Sequence, residues 1–591
     1  MSARFAPARA LALSLLCCPW SCGAAPARSA GSAGASAAAT SAPSIGVAAS
    51  GAVTAALRAE LDRTMKQLRF QDYEAPYFVG FRLIEHRDVE VAGRFGAVTR
   101  SRDTRGRSVA VDVRVGDYTF DSAPESGDFS FDENMTFEPS SVAPVDDDPE
   151  ALRATLWLLT DTAYKKALSS HLRKRARKVS DVDEQHVDSF SRERPTQASA
   201  PLGHLEVDPA RWSAVVRRVS AKFRADPRII EGELRFTADH ERTYVVTSEG
   251  TTVERDTVIY SVAMSAMARA PDGMLLDQGQ TLYARSPSEL PDEKGLERMV
   301  DEAIANLAAL AAAPVADPYT GPAILEPEAT GVFFHETVGH RLEGERQQDE
   351  NEGRTFKGQL GKPILPEFLS VRDDPTMRRW GSVSLNGYYA FDDEGVPAQD
   401  TVLVSGGVLK TFLTSRTPVE GVAQSNGHGR AQGTQRPVAR MGNLVVESTR
   451  RVPRAQLREM LVAEARKQGK PYGLVIRDIT GGSTNTSNFG YQAFKGTPRM
   501  VYRVDAATGQ EMLVRGVEMV GTPLTAVSRI VATSEETGVF NGYCGAESGY
   551  VPVSTVAPAA LFSEIELQRN QRDKERPPVL TPPWATSAGA K

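Results

Sequence analysis

Cysteine is scarce in this chain: 591 residues carry four, Cys17, Cys18, Cys22 and Cys544. That excludes a disulfide-built scaffold. No apolar run reaches the roughly 20 residues that a membrane-spanning helix needs, so a soluble mature protein is expected. Charge of one sign is not in excess either: 69 Lys and Arg against 75 Asp and Glu leave a formal net charge of −6. Such a balance supplies no basic field for a nucleic-acid binder. Glycine (48) and proline (36) are ordinary in number, which excludes collagen-like and wholly disordered chains. What is there is a globular mixture, 41% hydrophobic and 24% charged. At about 150 residues per domain, it has room for two to four domains.

The N-terminus reads as an address. Arg4 and Arg9 precede an apolar stretch over 10–18, followed by Pro19 and small residues. This is the pattern of a secretory signal over 1–25, too short for a spanning helix. An exported protein, periplasmic or secreted, is expected. Cleavage near 24–27 is the first expectation, and lipidation of Cys22 the alternative. Residues 26–52 are rich in Ala, Ser and Gly with a single charge, Arg28, and read as a flexible tether. Removal of the signal leaves Cys544 as the one cysteine, or one of two if Cys22 is retained. A lone thiol in an oxidising compartment needs a reason: burial, a metal or catalysis.

The periodicity predicts an α+β protein. Helical spacing marks 53–67, 151–178, 208–223 and 290–312. Alternation marks strands at 77–85, 89–98 and 108–115, and a strand-rich stretch over 232–268. Residues 125–149 read as an acidic surface loop. The basic run 171–178 reads as the solvated end of a helix, because no aromatic residues interleave with its charges. A Pro-punctuated linker over 313–322 separates an N-terminal α+β domain (53–315) from a β-rich C-terminal domain (320–575), with a loose tail over 576–591. In the second half, strands are expected at 385–391, 400–403, 408–413, 499–504 and 514–518. The Gly-rich stretch 481–488 lacks a phosphate-loop lysine and reads as a loop near a cleft.

Chemistry concentrates just after the linker. The string HETVGHRLEGE at 335–345 places His335 and His340 around Glu336 as HExxxH. The zinc-peptidase HExxH sets its histidines on one helix face. Here the spacing is i,i+5, and at about 100° per residue the two side chains diverge by roughly 140°. A shared metal therefore predicts a distorted helix, for instance one with a π-bulge, and Gly339 eases such a bend. Two imidazoles and a third ligand suit catalytic zinc, and Glu336 is placed to take a proton from a metal-activated water. His428, Glu343, Glu345 and Cys544 are the candidates for the third ligand. His428 and Arg430 lie in a Gly-rich loop, SNGHGR at 425–430, and are candidates for substrate binding.

The second half resembles the TldD/PmbA family of modulators of peptide maturation, on its zinc-peptidase side. The resemblance runs through HETVGHRLEGE, YAFDDEGVPAQ (389–399), SNGHGR, PVARM (437–441), GYCG (542–545) and GYVP (549–552). It implies that His335, His340 and Cys544 bind Zn2+ and that Glu336 is the general base. It further implies hydrolysis of small or unfolded peptides bound by strand addition, inside a homodimer or a heterodimer with a PmbA-like subunit. Two other readings compete: a thiol hydrolase using Cys544 as nucleophile, and a non-catalytic peptide-binding or assembly subunit.

Overall fold

The computed structural model describes residues 51–123, 139–178, 187–199, 203–349, 351–488, 493–570, 578 and 580–586. The signal, almost all of the tether, most of the acidic loop and half of the tail lie outside the described residues.

The N-terminal half is one sheet, antiparallel except for a short parallel edge strand, with helices on one face. In chain order its elements are α1 (Ala52–Gln67), β1 (Phe78–Arg94), β2 (Ala97–Arg114), α2 (Pro149–Lys178), α3 (Pro209–Ala221), β3 (Ile229–Thr247), β4 (Thr252–Arg269), β5 (Leu275–Ala284) and α4 (Glu293–Ala312). The strands lie in the order β2-β1-β3-β4-β5, and two short strands, Ser140–Val142 and Gln197–Ser199, add to β2 and β4. The four helices fall where the apolar spacing predicts them. The strands run longer than expected. Instead of breaking near residue 86, β1 continues, because its polar middle is paired across the ladder: Arg87 meets Asp103 at 2.8 Å and Arg100 meets Glu90 at 3.0 Å. In α2, Leu172 is exposed rather than part of the apolar stripe, and Arg173, Arg175 and Arg177 are exposed beside it.

Successive strand side chains point to opposite faces, and this sheet uses the two faces differently. Val79, Phe81, Val89, Val91, Phe236 and Val246 pack under the helices. His86, Asp88, Asp239 and Glu241 point the other way, towards the C-terminal half.

The C-terminal half is built on a larger sheet. We number its main elements β6 (Tyr319–Leu325), α5 (Pro327–Thr337), β7 (Leu369–Asp373), β8 (Thr401–Ser405), β9 (Asn443–Ser448), α6 (Arg454–Lys467), β10 (Tyr472–Thr484), β11 (Phe494–Asp505), β12 (Val517–Gly521), β13 (Ile530–Ala546) and β14 (Gly549–Arg569). The order is β8-β7-β9-β14-β12-β11-β10-β6. Because β6 also pairs with β14, the strands β14, β12, β11, β10 and β6 close into a ring, and β13 forms a hairpin with β14. α5 packs against β14, β10 and β13, burying Val332, Phe333 and Phe334 in the largest core.

Three expectations fail here. Residues 481–484, expected in a loop, form the end of β10. Residues 385–391 form turns, not a strand; the backbone there is held by Arg285, whose Nη2 donates to Leu385 O (3.1 Å) and Asn386 O (2.6 Å). Only Val408–Leu409 of the expected 408–413 strand is extended in a ladder. The two halves are joined by buried charges, with Arg416 on Glu249 (2.7 Å) and Arg255 on Asp393.

Candidate metal centre

The site is built at the end of α5. Pro327 starts this helix, where a missing N–H costs nothing. His335 and Glu336 occupy its last turn. The helix stops at Thr337, and Gly339–Leu342 form a separate 3-10 turn. The i,i+5 problem is thus met by ending the helix, not by the π-bulge suggested as one means. Gly339 is required for space: a Cβ there would sit 2.1 Å from Met441 Sδ.

This break brings His340 beside His335, with ring centroids 5.0 Å apart and planes at 84°. Cys544 reaches both from the β13–β14 hairpin: its Sγ is 3.1 Å from His335 Nε2 and 3.4 Å from His340 Nε2. It lies within strand β13. One ligand atom from each of the three residues lies within 4.8 Å of the others, and all three residues are buried. Of the other third-ligand candidates, Glu343 accepts at His340 Nδ1 (3.0 Å) and from Arg346 Nε (2.8 Å). Glu345 is turned to Ser415 and Ala439 N. His428 is wholly buried 3.3 Å from Asp373 Oδ1, outside the trio.

The electrostatics favour an anionic sulfur. Burial opposes the Cys544 thiolate, but His340, His335 and Arg440 outweigh it and hold the thiol well below its ordinary range. Burial likewise opposes protonation of His340, yet Cys544 and Glu343 raise its proton affinity above the ordinary value. Burial also works against ionised Glu343, which is nevertheless held below the usual carboxylate range by His340, Arg346 and Arg440. Glu336 is pushed up, chiefly by burial, even with both imidazoles nearby. Arg440, wholly buried, donates to Cys544 O (2.6 Å), Ser548 Oγ (2.9 Å) and Gly549 O (3.0 Å), fixing the hairpin that carries the thiol.

A thiolate and two imidazoles in mutual reach are a zinc-type donor set. A second fit is the Glu343 carboxylate behind His340, the usual outer partner of a metal-bound imidazole. His335 Nδ1, buried without a hydrogen-bond partner among the described residues, leaves Nε2 as the atom facing the trio. Metal bound there would take the place of protons on these ligand atoms.

Residues 318–569 match the family model described as the PmbA/TldA metallopeptidase C-terminal domain. This part of the chain is similar to the C-terminal domain of the TldD/PmbA family. A metalloprotease of Methanocaldococcus jannaschii is 30% identical over 231 residues, 39% of this chain and 47% of that protein. A "zinc metalloprotease TldD homolog" of Saccharolobus solfataricus is 30% identical over 252 residues, 42% of this chain and 51% of the relative. In these matches the chain spans about half the length of its curated relatives. The fold resembles a putative modulator of DNA gyrase from Bacteroides thetaiotaomicron (TM-score 0.59, 14% identity, 87% of this chain, 98% of that one). It also resembles TldE from Thermococcus kodakarensis (TM-score 0.57, 15% identity, 87% and 100%). The TldD/PmbA similarity thus lies in the half of the chain that carries the trio.

Among the described residues no helix is long and apolar enough to cross a membrane. Arg430 sits apart from the trio, donating to Met441 O (2.6 Å). It lines a cavity of about 170 Å3 between the two sheets, together with Asp88, Asp239, Glu241, Arg255 and Tyr543. Reading the sequence for ligands alone passes over Arg440 and Arg346. The signal that could have found Arg440 is its place in PVARM, one of the strings that carry the family resemblance.

Proposed function

We propose that the chain is a zinc-dependent peptidase in which His335, His340 and Cys544 hold the metal and Glu336 is the general base. The observation that carries this reading is the trio of ligand atoms within 4.8 Å of one another, with Glu336 next to the first ligand on the last turn of α5. Zinc held there would lower the pKa of a water and polarise a peptide carbonyl. The protein's own groups do the rest. Glu336, half-buried and with raised proton affinity, takes the proton of the attacking water and returns it to the leaving amine. Glu343 holds the Nδ1 proton of His340, so that Nε2 presents its lone pair.

The substrate is a small or unfolded peptide. Among the described residues, no strand pairs with the side of Thr480–Thr484 in β10 that lies opposite β11, since β6 pairs only with Leu474–Ile476. An extended peptide can add there through its backbone. This edge passes the base: a Cβ on Gly482 would lie 2.6 Å from Glu336 Cγ. We further propose that the protein is exported, periplasmic or secreted, with lipidation of Cys22 as the alternative to simple cleavage. It works as a homodimer or with a PmbA-like subunit.

The test is metal analysis of the purified mature protein with cleavage of unstructured peptides. Bound zinc is expected, and Glu336→Ala should lower kcat by about 10²–10⁴-fold while leaving the zinc in place. Absence of zinc, or an unchanged kcat in that variant, defeats the proposal. One observation favours a second reading: a thiol 3.1 Å from an imidazole nitrogen is also the arrangement of a thiol nucleophile and its base. A chelator separates the two, because it abolishes a zinc enzyme and spares a thiol enzyme.

A further inference from the structure

A helix leaves its last carbonyls without intrahelical partners, and α5 ends one residue after the proposed base. The Glu336 and Thr337 carbonyls both accept from one nitrogen, Arg341 Nη1, at 3.0 and 3.2 Å. The same guanidinium reaches the end of β10: Nη1 lies 3.1 Å from Thr484 Oγ1, and Nη2 lies 3.3 Å from Asn485 O. Arg341 is among the largest buried side chains, only 2% exposed. Its own carbonyl is held by Gln347 Nε2 (2.9 Å), and Gln347 Oε1 accepts from Phe356 N (2.9 Å), which fixes the arginine from behind. A cation at a helix C-terminus also complements the helix dipole. These four acceptors include no side chain of His335, His340 or Cys544.

We propose that Arg341 is a positioning residue that clasps the end of α5 to the end of β10. The Glu336 carboxylate is thereby held in register with both the ligand trio and the open strand edge. The catalytic consequence rests on the peptidase reading; the clasp itself does not. A lysine keeps the charge but replaces a rigid fork with a single flexible ammonium, which cannot hold both elements at once.

The experiment compares the full-length protein with Arg341→Lys and Thr484→Val, each loaded with zinc. The readouts are zinc content, kcat and KM on one unstructured fluorogenic peptide, and amide hydrogen exchange by mass spectrometry. In Arg341→Lys the expected result is unchanged zinc stoichiometry, a kcat lower by about 10–100-fold from a misplaced base, and a KM within about threefold. Exchange should quicken together at the end of α5 and the end of β10. Thr484→Val, which removes one of the four acceptors, should move the same quantities in the same direction by less; it carries the test if Arg341→Lys does not fold. A kcat per bound zinc within about twofold of wild type overturns the proposal. So does loss of zinc, or exchange that quickens in only one of the two segments. If the wild-type protein cleaves no peptide, the peptidase reading falls, and the exchange result alone decides whether the clasp exists.

Discussion

The two sheets bury charge in opposite ways. In the N-terminal sheet, charged residues pair diagonally along the β1–β2 hairpin, as Arg87 reaches Asp103, the partner of Val89 in the register. Such pairs are largely solvated and stabilise by a few tenths of a kcal/mol to about 1 kcal/mol each. Around the trio, by contrast, Glu343, Arg346, Arg440 and Cys544 are nearly or wholly buried and come from segments about 100 to 200 residues apart. Buried charges of this kind are costly unless every partner is present. The contrast separates charge that tolerates change from charge whose removal disables a site.

Substitutions can break that contrast, the largest effect first. Cys544→Ala removes one of the three proposed zinc ligands, the thiol that lies within reach of both imidazoles. Stoichiometric zinc should be lost, read by metal analysis, while Arg87→Ala in the N-terminal ladder leaves zinc untouched. Glu343→Gln should weaken zinc binding by about 10–100-fold, measured by competition with a chromophoric chelator, because it alters the partner that orients His340. Gly339→Ala forces a methyl group against Met441 Sδ, since a Cβ there would be only 2.1 Å away. A loss of about 1–3 kcal/mol in urea unfolding is expected.

The smallest effect belongs to the N-terminal sheet. Asp239 lies directly across from Asp88, and burial together with that neighbour raises its pKa to about 7. The unfolded chain ionises it near pH 4. Between those values the folded state binds more protons than the unfolded one, so this residue's contribution to stability falls as pH rises from about 4 to about 7. Asp239→Asn should flatten that part of the stability–pH curve, measured by denaturant midpoints at pH 5 and pH 8. An unchanged slope would mean that the pair is solvated like the rest of the ladder.

Legibility in the sequence follows the same division. The helices α1 to α4 are readable because their apolar spacing is local and unbroken. The strand β1 is read as two pieces because its polar centre resembles a turn until the facing residues of β2 are known. In the second half, the full extent of β14 passes unread: its middle, 553–562, is continuously buried, so period-2 alternation is muted there. At the site, the residue types of HExxxH announce a metal, but the role of Glu343 does not. It stands among the candidate ligands by spacing, and only its 3.0 Å contact with His340 Nδ1 identifies it as that imidazole's partner.

By itself the sequence determined the chemistry on offer: two histidines flanking a glutamate, a cysteine far down the chain, and a resemblance to a known family in its second half. It also determined the local elements whose periodicity is self-contained. The tertiary structure decided which groups meet. Cys544 lies 209 residues from His335 and 3.1 Å from it in space. That approach depends on β13 entering the sheet beside α5, and on a helix that ends where Arg341 can bind its last carbonyls. Hydrophobic spacing is a short-range property of the chain. A ligand trio is a property of long-range packing, in which a displacement of an ångström separates a metal site from two histidines and a thiol.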